Sequence, residues 1–314
     1  MTDRRGVLLM TYGSPADDLH DLPEYLRAVR GGREPSADLV AEFRRRYQLI
    51  GGSPLIPITR QQASAVEETL RADGVDARAT VGMRFSAPTI LDGLGELADA
   101  GCTDASAIIM SPQYSDLLMG GYRRAIDDAV ATLGEAAPRV RLAPAWYREP
   151  LFIAAVAERV RQGLDTLSPD AAVLLTAHSL PRRVAETEPG YLDQLRETAE
   201  LVAAAADLGP DQWAFCWQSA GHEPGEWMKP DFADLLPSLA AAGHRAVLVA
   251  PIQFLADHLE ILYDVDIGAR EQAEREGLAF ARIESLNVSP TFVAALARIA
   301  GNTVASPPAA SASR

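Results

Sequence analysis

Along the chain, short continuous hydrophobic runs alternate with longer stretches in which hydrophobic residues recur at helical spacing. The short runs fall at 6–11 (GVLLMT), 78–84, 105–111, 139–143, 171–176 (AAVLLT), 212–217, 245–251 (RAVLVAP) and 279–284. Their length, their Val/Ile/Leu content and the Gly or Pro near their ends predict buried strands. The helical stretches fall at 19–30, 36–48, 58–73, 88–99, 116–134, 150–166, 191–207, 230–241, 257–276 and 289–301. Alternation of this kind predicts an α/β fold in which parallel sheets carry helices on both faces.

The pattern runs through the chain twice. MTYGSP (10–15) and TAHSLP (176–181) each close a strand, which sets Tyr12 opposite His178. MSPQYSD (110–116) and VAPIQFLAD (249–257) each end a strand at a Pro and lead into a helix. Two similar doubly wound lobes are expected, at 1–145 and 146–302, with a cleft between them. The remaining residues, 303–314, end in SPPAASASR and are expected to be a disordered tail.

The chain has 314 residues and is 48% hydrophobic, ample for a large core. Its net charge of −14 argues against nucleic acid, which needs a basic face, while leaving room for a local basic pocket for an acidic ligand. Two cysteines, Cys102 and Cys216, suit a reducing compartment and are too few to ligate an iron–sulfur cluster. The N-terminal apolar run breaks at Gly13-Ser14-Pro15, too early for a signal peptide, and no stretch reaches the roughly 18 apolar residues of a membrane span. A cytoplasmic monomer without stable membrane insertion is expected. Gly93-Leu94-Gly95-Glu96-Leu97-Ala98 fits a dinucleotide fingerprint but lies inside a helix, where its amides cannot meet a pyrophosphate. No nucleotide is expected. Ser179 beside His178 lacks a nucleophile elbow.

Chemistry concentrates where strands end. Catalytic groups of open α/β sheets collect at the carboxyl ends of strands, and His178 stands at one such end. After another, Asp257, Glu260 and Asp264 sit at i, i+3 and i+7, one face of an α-helix, with Glu271 two turns on. Asp257-His258-Leu259-Glu260 also has the spacing of a capping box, which would give Asp257 and Glu260 a structural role. His20, His222, His244 and His258 read as surface or packing residues.

AHSLP (177–181) and DHLEILYDVD (257–266) closely resemble the two signature stretches of the ferrochelatases. LLMTYGSP (8–15), YLRAVRGGREP (25–35), RRRYQLIGGSPL (44–55) and WQSAGHEPGEWMKPD (217–231) match as well, in the family's order, so the resemblance runs from about Gly6 to about Ala300. The resemblance implies two lobes with a porphyrin between them and ferrous iron as the metal substrate. It implies His178 and Glu260 as the catalytic or metal-binding pair, with Asp264 and Glu271 as a secondary acidic row. Tyr12, Arg30, Arg46, Tyr47, Ser53 and Tyr122 match positions around the porphyrin, as does Arg33. Arg84 could join them, although Arg33 and Arg84 also read as surface charge. Gly268 and Phe85 depart from the pattern and weigh against a second metal site. Tyr12 stands where relatives acting on coproporphyrin III commonly have Tyr. The implied activity is insertion of Fe2+ into coproporphyrin III in heme biosynthesis, with the neighbouring enzymes of that synthesis as transient partners. The alternatives are a protoporphyrin IX ferrochelatase, a cobalt or nickel chelatase, and a non-catalytic tetrapyrrole carrier.

Overall fold

The computed structural model describes residues 4–220 and 225–305. The first half runs β1 (Arg4–Thr11), α1 (Leu22–Val29), α2 (Ala37–Ile50), α3 (Leu55–Ala72), β2 (Ala77–Met83), α4 (Ile90–Asp99), β3 (Cys102–Ile109), α5 (Asp116–Leu133) and β4 (Arg139–Leu142). The second runs α6 (Pro150–Leu167), β5 (Ala172–His178), α7 (Arg182–Thr187), α8 (Pro189–Ala205), β6 (Trp213–Gln218), α9 (Phe232–Ala241), β7 (Ala246–Pro251), a π-helix (Glu260–Ala269), α10 (Arg270–Arg275), β8 (Ala279–Arg282) and α11 (Pro290–Ala305). The short helix α7 was not expected from the pattern.

Each half forms a four-stranded parallel sheet. The orders are β2-β1-β3-β4 and β6-β5-β7-β8, the same topology twice. β1 and β5 are interior strands with partners on both sides, which explains their unbroken apolar runs. In each sheet the order reverses beside β1 or β5, and such switch points open crevices at the carboxyl ends of strands. Tyr12 and His178 stand at the two equivalent places.

One apolar core joins the lobes, from Val7 and Leu9 of β1 to Val173 and Leu175 of β5 by way of Phe152 of α6 and Phe292 of α11. Trp146, in the connection between the halves, packs edge-on to Phe152 at 5.2 Å. Helix α11 belongs by sequence to the second half, yet it packs against α3 and β3 of the first. Ser106 Oγ of β3 donates to the carbonyl of Ala300 at 2.7 Å. Phe292, Ala295, Leu296, Ile299 and Ala300 are all buried, as a helix enclosed by two lobes requires. Residues 303–305, counted above with the tail, continue α11, and the rest of the tail lies outside the described residues, as does His222.

Two sequence features resolve into packing. A Cβ on Gly93 would lie 2.5 Å from the carbonyl oxygen of Val81, so the glycine lets α4 press onto β2. Ser179 Oγ donates to the carbonyl of Met228 at 3.1 Å.

Candidate active site in the inter-lobe cleft

β1 delivers Tyr12 to the cleft. The following Gly13 has φ +90°, and a Cβ there would sit 2.2 Å from Ser86 Oγ, so the turn admits only glycine. The backbone is pinned by Phe85 N–H donating to the Tyr12 carbonyl at 3.1 Å and by the Tyr25 hydroxyl donating to the Gly13 carbonyl at 3.0 Å. The Tyr12 ring leans on Phe85 at 5.1 Å and on buried Tyr122 at 6.4 Å. Arg84 is a wall residue rather than surface charge, its guanidinium lying 4.6 Å from the Phe85 ring centre and 5.3 Å from that of Tyr122. Tyr12 remains 44% exposed, and its hydroxyl has no hydrogen-bond partner among the described residues.

β5 delivers His178. Its backbone N–H donates to Gln253 Oε1 at 2.9 Å, and Gln253 donates in turn to the Tyr191 hydroxyl. Nδ1 stands 2.5 Å from the Ser179 carbonyl, so in the neutral ring the proton belongs on Nδ1 and the lone pair on Nε2. Nε2 faces Glu260 Oε2 at 3.4 Å. That carboxylate oxygen is buried and accepts no hydrogen bond among the described residues. Two electron-pair donors therefore meet over a gap that a proton or a metal ion can bridge. Phe254 and Trp227 flank the imidazole at 6.3 and 6.5 Å.

The expected row of carboxylates needs correction. The helix starts at Leu259 and runs as a π-helix, where an α-helix with Asp257 as its cap was expected. Asp257 turns away from the cleft, its oxygens accepting from Ser285 Oγ at 2.7 Å and Asn287 Nδ2 at 3.0 Å. Its side chain therefore caps nothing, and only Glu260 and Asp264 keep the acidic face. Glu271 lies on α10, exposed to solvent. Among the described residues, no group of three or more His, Cys, Asp or Glu is placed to hold a metal ion.

Helix α2 closes the cleft from the first lobe. Arg46 Nη1 reaches Asp264 Oδ1 at 3.4 Å, Nε donates to Glu42 Oε1 at 2.8 Å, and the guanidinium lies 4.8 Å from the Tyr263 ring centre. Arg45 shares Glu42 but turns to the Tyr263 hydroxyl, and Arg46 is the one of the pair that reaches Asp264. Buried Tyr47 follows on the same helix. Arg30 caps the C-terminal end of α1, and its buried Nε finds no hydrogen-bond partner among the described residues. The Arg33 side chain turns back to the Arg30 carbonyl. Ser53 lies in the turn into α3.

Charge in the cleft is organised around Glu260. Burial first, and then the Glu260 carboxylate, push the Tyr47 phenol up and raise the Asp264 carboxyl, which Arg46 and His178 partly offset. Desolvation within the cleft raises Tyr12 even though 44% of its surface is exposed, while Arg84 lowers it and Glu260 adds to the rise. Gln253, Tyr191 and Trp227 join the site only through the tertiary structure. A polar Gln inside the otherwise apolar turn Pro251–Leu255 was the visible signal.

Two parallel-sheet lobes meeting at a cleft define a chelatase fold. The solved structure of SirB from Bacillus subtilis with Fe3+ superposes with a TM-score of 0.61 over 96% of this chain and 98% of that one, at 12% identity. CbiX, described as the terminal enzyme for siroheme biosynthesis in denitrifying bacteria, gives 0.53 at 15% identity, over 95% and 98% of the two chains. The ferrochelatase family profile matches residues 4–304, and the chain belongs to the ferrochelatase family. It is 39% identical to a ferrochelatase of Deinococcus radiodurans, over 94% of each chain. It is 34% identical to the coproporphyrin III ferrochelatase of Bacillus subtilis, over 94% of this chain and 96% of the relative. The chain is accordingly a metal-insertion enzyme of the lyase class, with a porphyrin and ferrous iron as its substrates. No helix among the described residues is long and apolar enough to cross a membrane.

Proposed function

We propose that this enzyme inserts ferrous iron into coproporphyrin III to give coproheme. The observation that carries the reading is the pair of cleft walls: Tyr12, its hydroxyl without a hydrogen-bond partner among the described residues, at the end of β1, and His178 at the equivalent end of β5 with Glu260 of the π-helix beside it. The porphyrin lies between them. As iron enters one face, two pyrrole N–H protons leave from the other. The His178 Nε2 lone pair accepts one, and the Glu260 carboxylate accepts or relays the second towards Asp264. Imidazole nitrogen and carboxylate oxygen are also donors that ferrous iron takes; in that alternative the pair holds the arriving ion and the protons leave from the Tyr12 face instead. On the opposite face a phenol can ligate the iron of the product.

Coproporphyrin carries four propionates where protoporphyrin carries two. Arg30, with a buried unpaired nitrogen, Arg46, and the hydroxyls of Tyr47 and Ser53 offer charge-assisted and neutral contacts to them. Tyr122, buried beneath Tyr12 and stacked by Arg84, supports the ring that meets the porphyrin. Bacterial relatives named coproporphyrin III ferrochelatases, at 33–35% identity, support the same substrate.

The test is anaerobic incubation with Fe2+ and either porphyrin, followed by absorption. Coproporphyrin III should be metallated much faster than protoporphyrin IX. Equal or faster use of protoporphyrin IX would overturn the substrate assignment and leave the family's reaction in place.

A further inference from the structure

Among the described residues Glu260 Oε2 accepts no hydrogen bond, so beyond its 3.4 Å approach to His178 Nε2 no hydrogen bond fixes this oxygen. Its position is set by the backbone that carries it. That backbone is tied on both flanks to one residue outside the cleft. Arg282, at the end of β8 with its side chain 12% exposed, donates Nε to Asp266 Oδ1 at 2.7 Å and Nη2 to Asp266 Oδ2 at 3.0 Å. The same Nη2 stands 3.3 Å from Asp257 Oδ1. Asp257 lies three residues before Glu260 and Asp266 six residues after it. A single guanidinium thus staples the turn that leads into the π-helix to the π-helix itself.

The staple is anchored. Arg282 Nη1 donates to the Ile283 carbonyl at 2.8 Å and to Ser285 Oγ at 3.1 Å. Asn287, in the left-handed region at φ +40°, grips Asp257 twice, accepting from its backbone N–H and donating to Oδ2, each at 3.0 Å. The Asn287 carbonyl accepts from Gln62 Nε2 of α3 at 2.8 Å, so the chain of contacts ends in the opposite lobe. Burying an arginine with two carboxylates is costly unless every group is satisfied, and replacing such a set by apolar residues often stabilises a protein. Stability alone therefore gives little reason for this cluster beside the π-helix.

We propose that Arg282 is a positioning residue that sets Glu260 against His178 by stapling Asp257 to Asp266. It touches neither substrate. The inference rests on the role given to Glu260 above and is independent of which porphyrin is used. A planar fork bridges two carboxylates and an ammonium cannot do so with the same geometry, so Lys is an informative replacement.

The experiment compares Arg282→Lys, Arg282→Ala and the isosteric Asp266→Asn with Glu260→Gln and the unaltered enzyme. Misplacing a reacting group by about 1 Å costs about 100-fold in rate, so kcat should fall roughly 10- to 100-fold in the Arg282 variants. The Kd for porphyrin, read by fluorescence quenching without metal, should stay within about twofold, because the staple lies outside the cleft. Guanidinium chloride at millimolar concentration should restore part of the activity of Arg282→Ala and none to Glu260→Gln. Loss of turnover in Glu260→Gln with full kcat in Arg282→Lys and Asp266→Asn would overturn the staple alone. Turnover retained by Glu260→Gln would overturn the role of Glu260 and this inference with it. A fall in kcat that matches the fraction of unfolded protein, with no response to guanidinium, would reduce Arg282 to a structural residue.

Discussion

Arg46 of α2 and Asp264 of the π-helix form an ion pair across the cleft, Nη1 to Oδ1 at 3.4 Å. The pair joins a helix of the first lobe to the element that carries Glu260. It also sets two acids, Glu42 and Asp264, in competition for the arginine on which a substrate carboxylate would settle.

Removing the competitor should help the substrate. Partly exposed ion pairs are worth up to about 1 kcal/mol, so Asp264→Asn is expected to tighten porphyrin binding by roughly two- to fivefold. Arg46→Ala and Arg30→Ala should weaken it by roughly 10- to 100-fold, the loss of one charge-assisted contact each. Fluorescence titration without metal measures both. An unchanged Kd in both arginine variants would place the propionates elsewhere.

His178→Ala and Glu260→Gln should each lower kcat by about 10²–10⁴ while leaving thermal unfolding unchanged. Glu260 opens the π-helix with no side-chain cap beside it, so glutamine there has no capping function to preserve. Steady-state metallation beside a calorimetric Tm separates loss of chemistry from loss of fold.

The two acids that meet Arg46 should titrate with opposite effects on stability. Hydrogen bonds from Arg45 and then Arg46 hold Glu42 down to about 2 from its ordinary 4.5. A lowered carboxyl stabilises the fold above its unfolded value and loses that contribution as pH falls from 4.5 towards 2. Burial, then Glu260, raise Asp264 above 3.8, so its contribution is present below that pH and is lost as pH rises through the raised value. Urea unfolding between acid and neutral pH should show Glu42→Gln with a flatter acid limb. Asp264→Asn should gain relative stability towards neutral pH.

Tyr12→Phe should change the absorption and resonance Raman spectrum of bound coproheme, since it removes the oxygen proposed to ligate the iron. A product spectrum indifferent to the change would make Tyr12 a wall residue only.

Gly93→Ala tests the apparent nucleotide fingerprint. A methyl 2.5 Å from the Val81 carbonyl must push α4 off β2 and should cost about 1–3 kcal/mol. Activity per folded molecule should not change, and isothermal titration should detect no dinucleotide binding before or after the substitution.

The sequence by itself determined the alternation of strands and helices, the repeat of one plan in two halves, and the strand ends that hold Tyr12 and His178. These are local properties: an interior parallel strand must be apolar on both faces, and Gly or Pro must end it. The positions of Arg46, Tyr47 and Glu260 were legible too, through their resemblance to a family. What only the tertiary structure decided is where the carboxylates point. Spacing placed Asp257 in line with Glu260 and Asp264, because an α-helix has a fixed period. The chain instead bonds Asp257 to Ser285, Asn287 and Arg282, residues about 25 to 30 positions away, and the helix begins later with a wider turn. Likewise, Arg84 reads as surface charge until Phe85 and Tyr122 close around it. Helix α11 reads as part of the second lobe until it packs on β3 of the first. Periodicity reports which side of an element is apolar. Which partner a polar side chain meets is settled by contacts between residues far apart in the chain, and no local period encodes those.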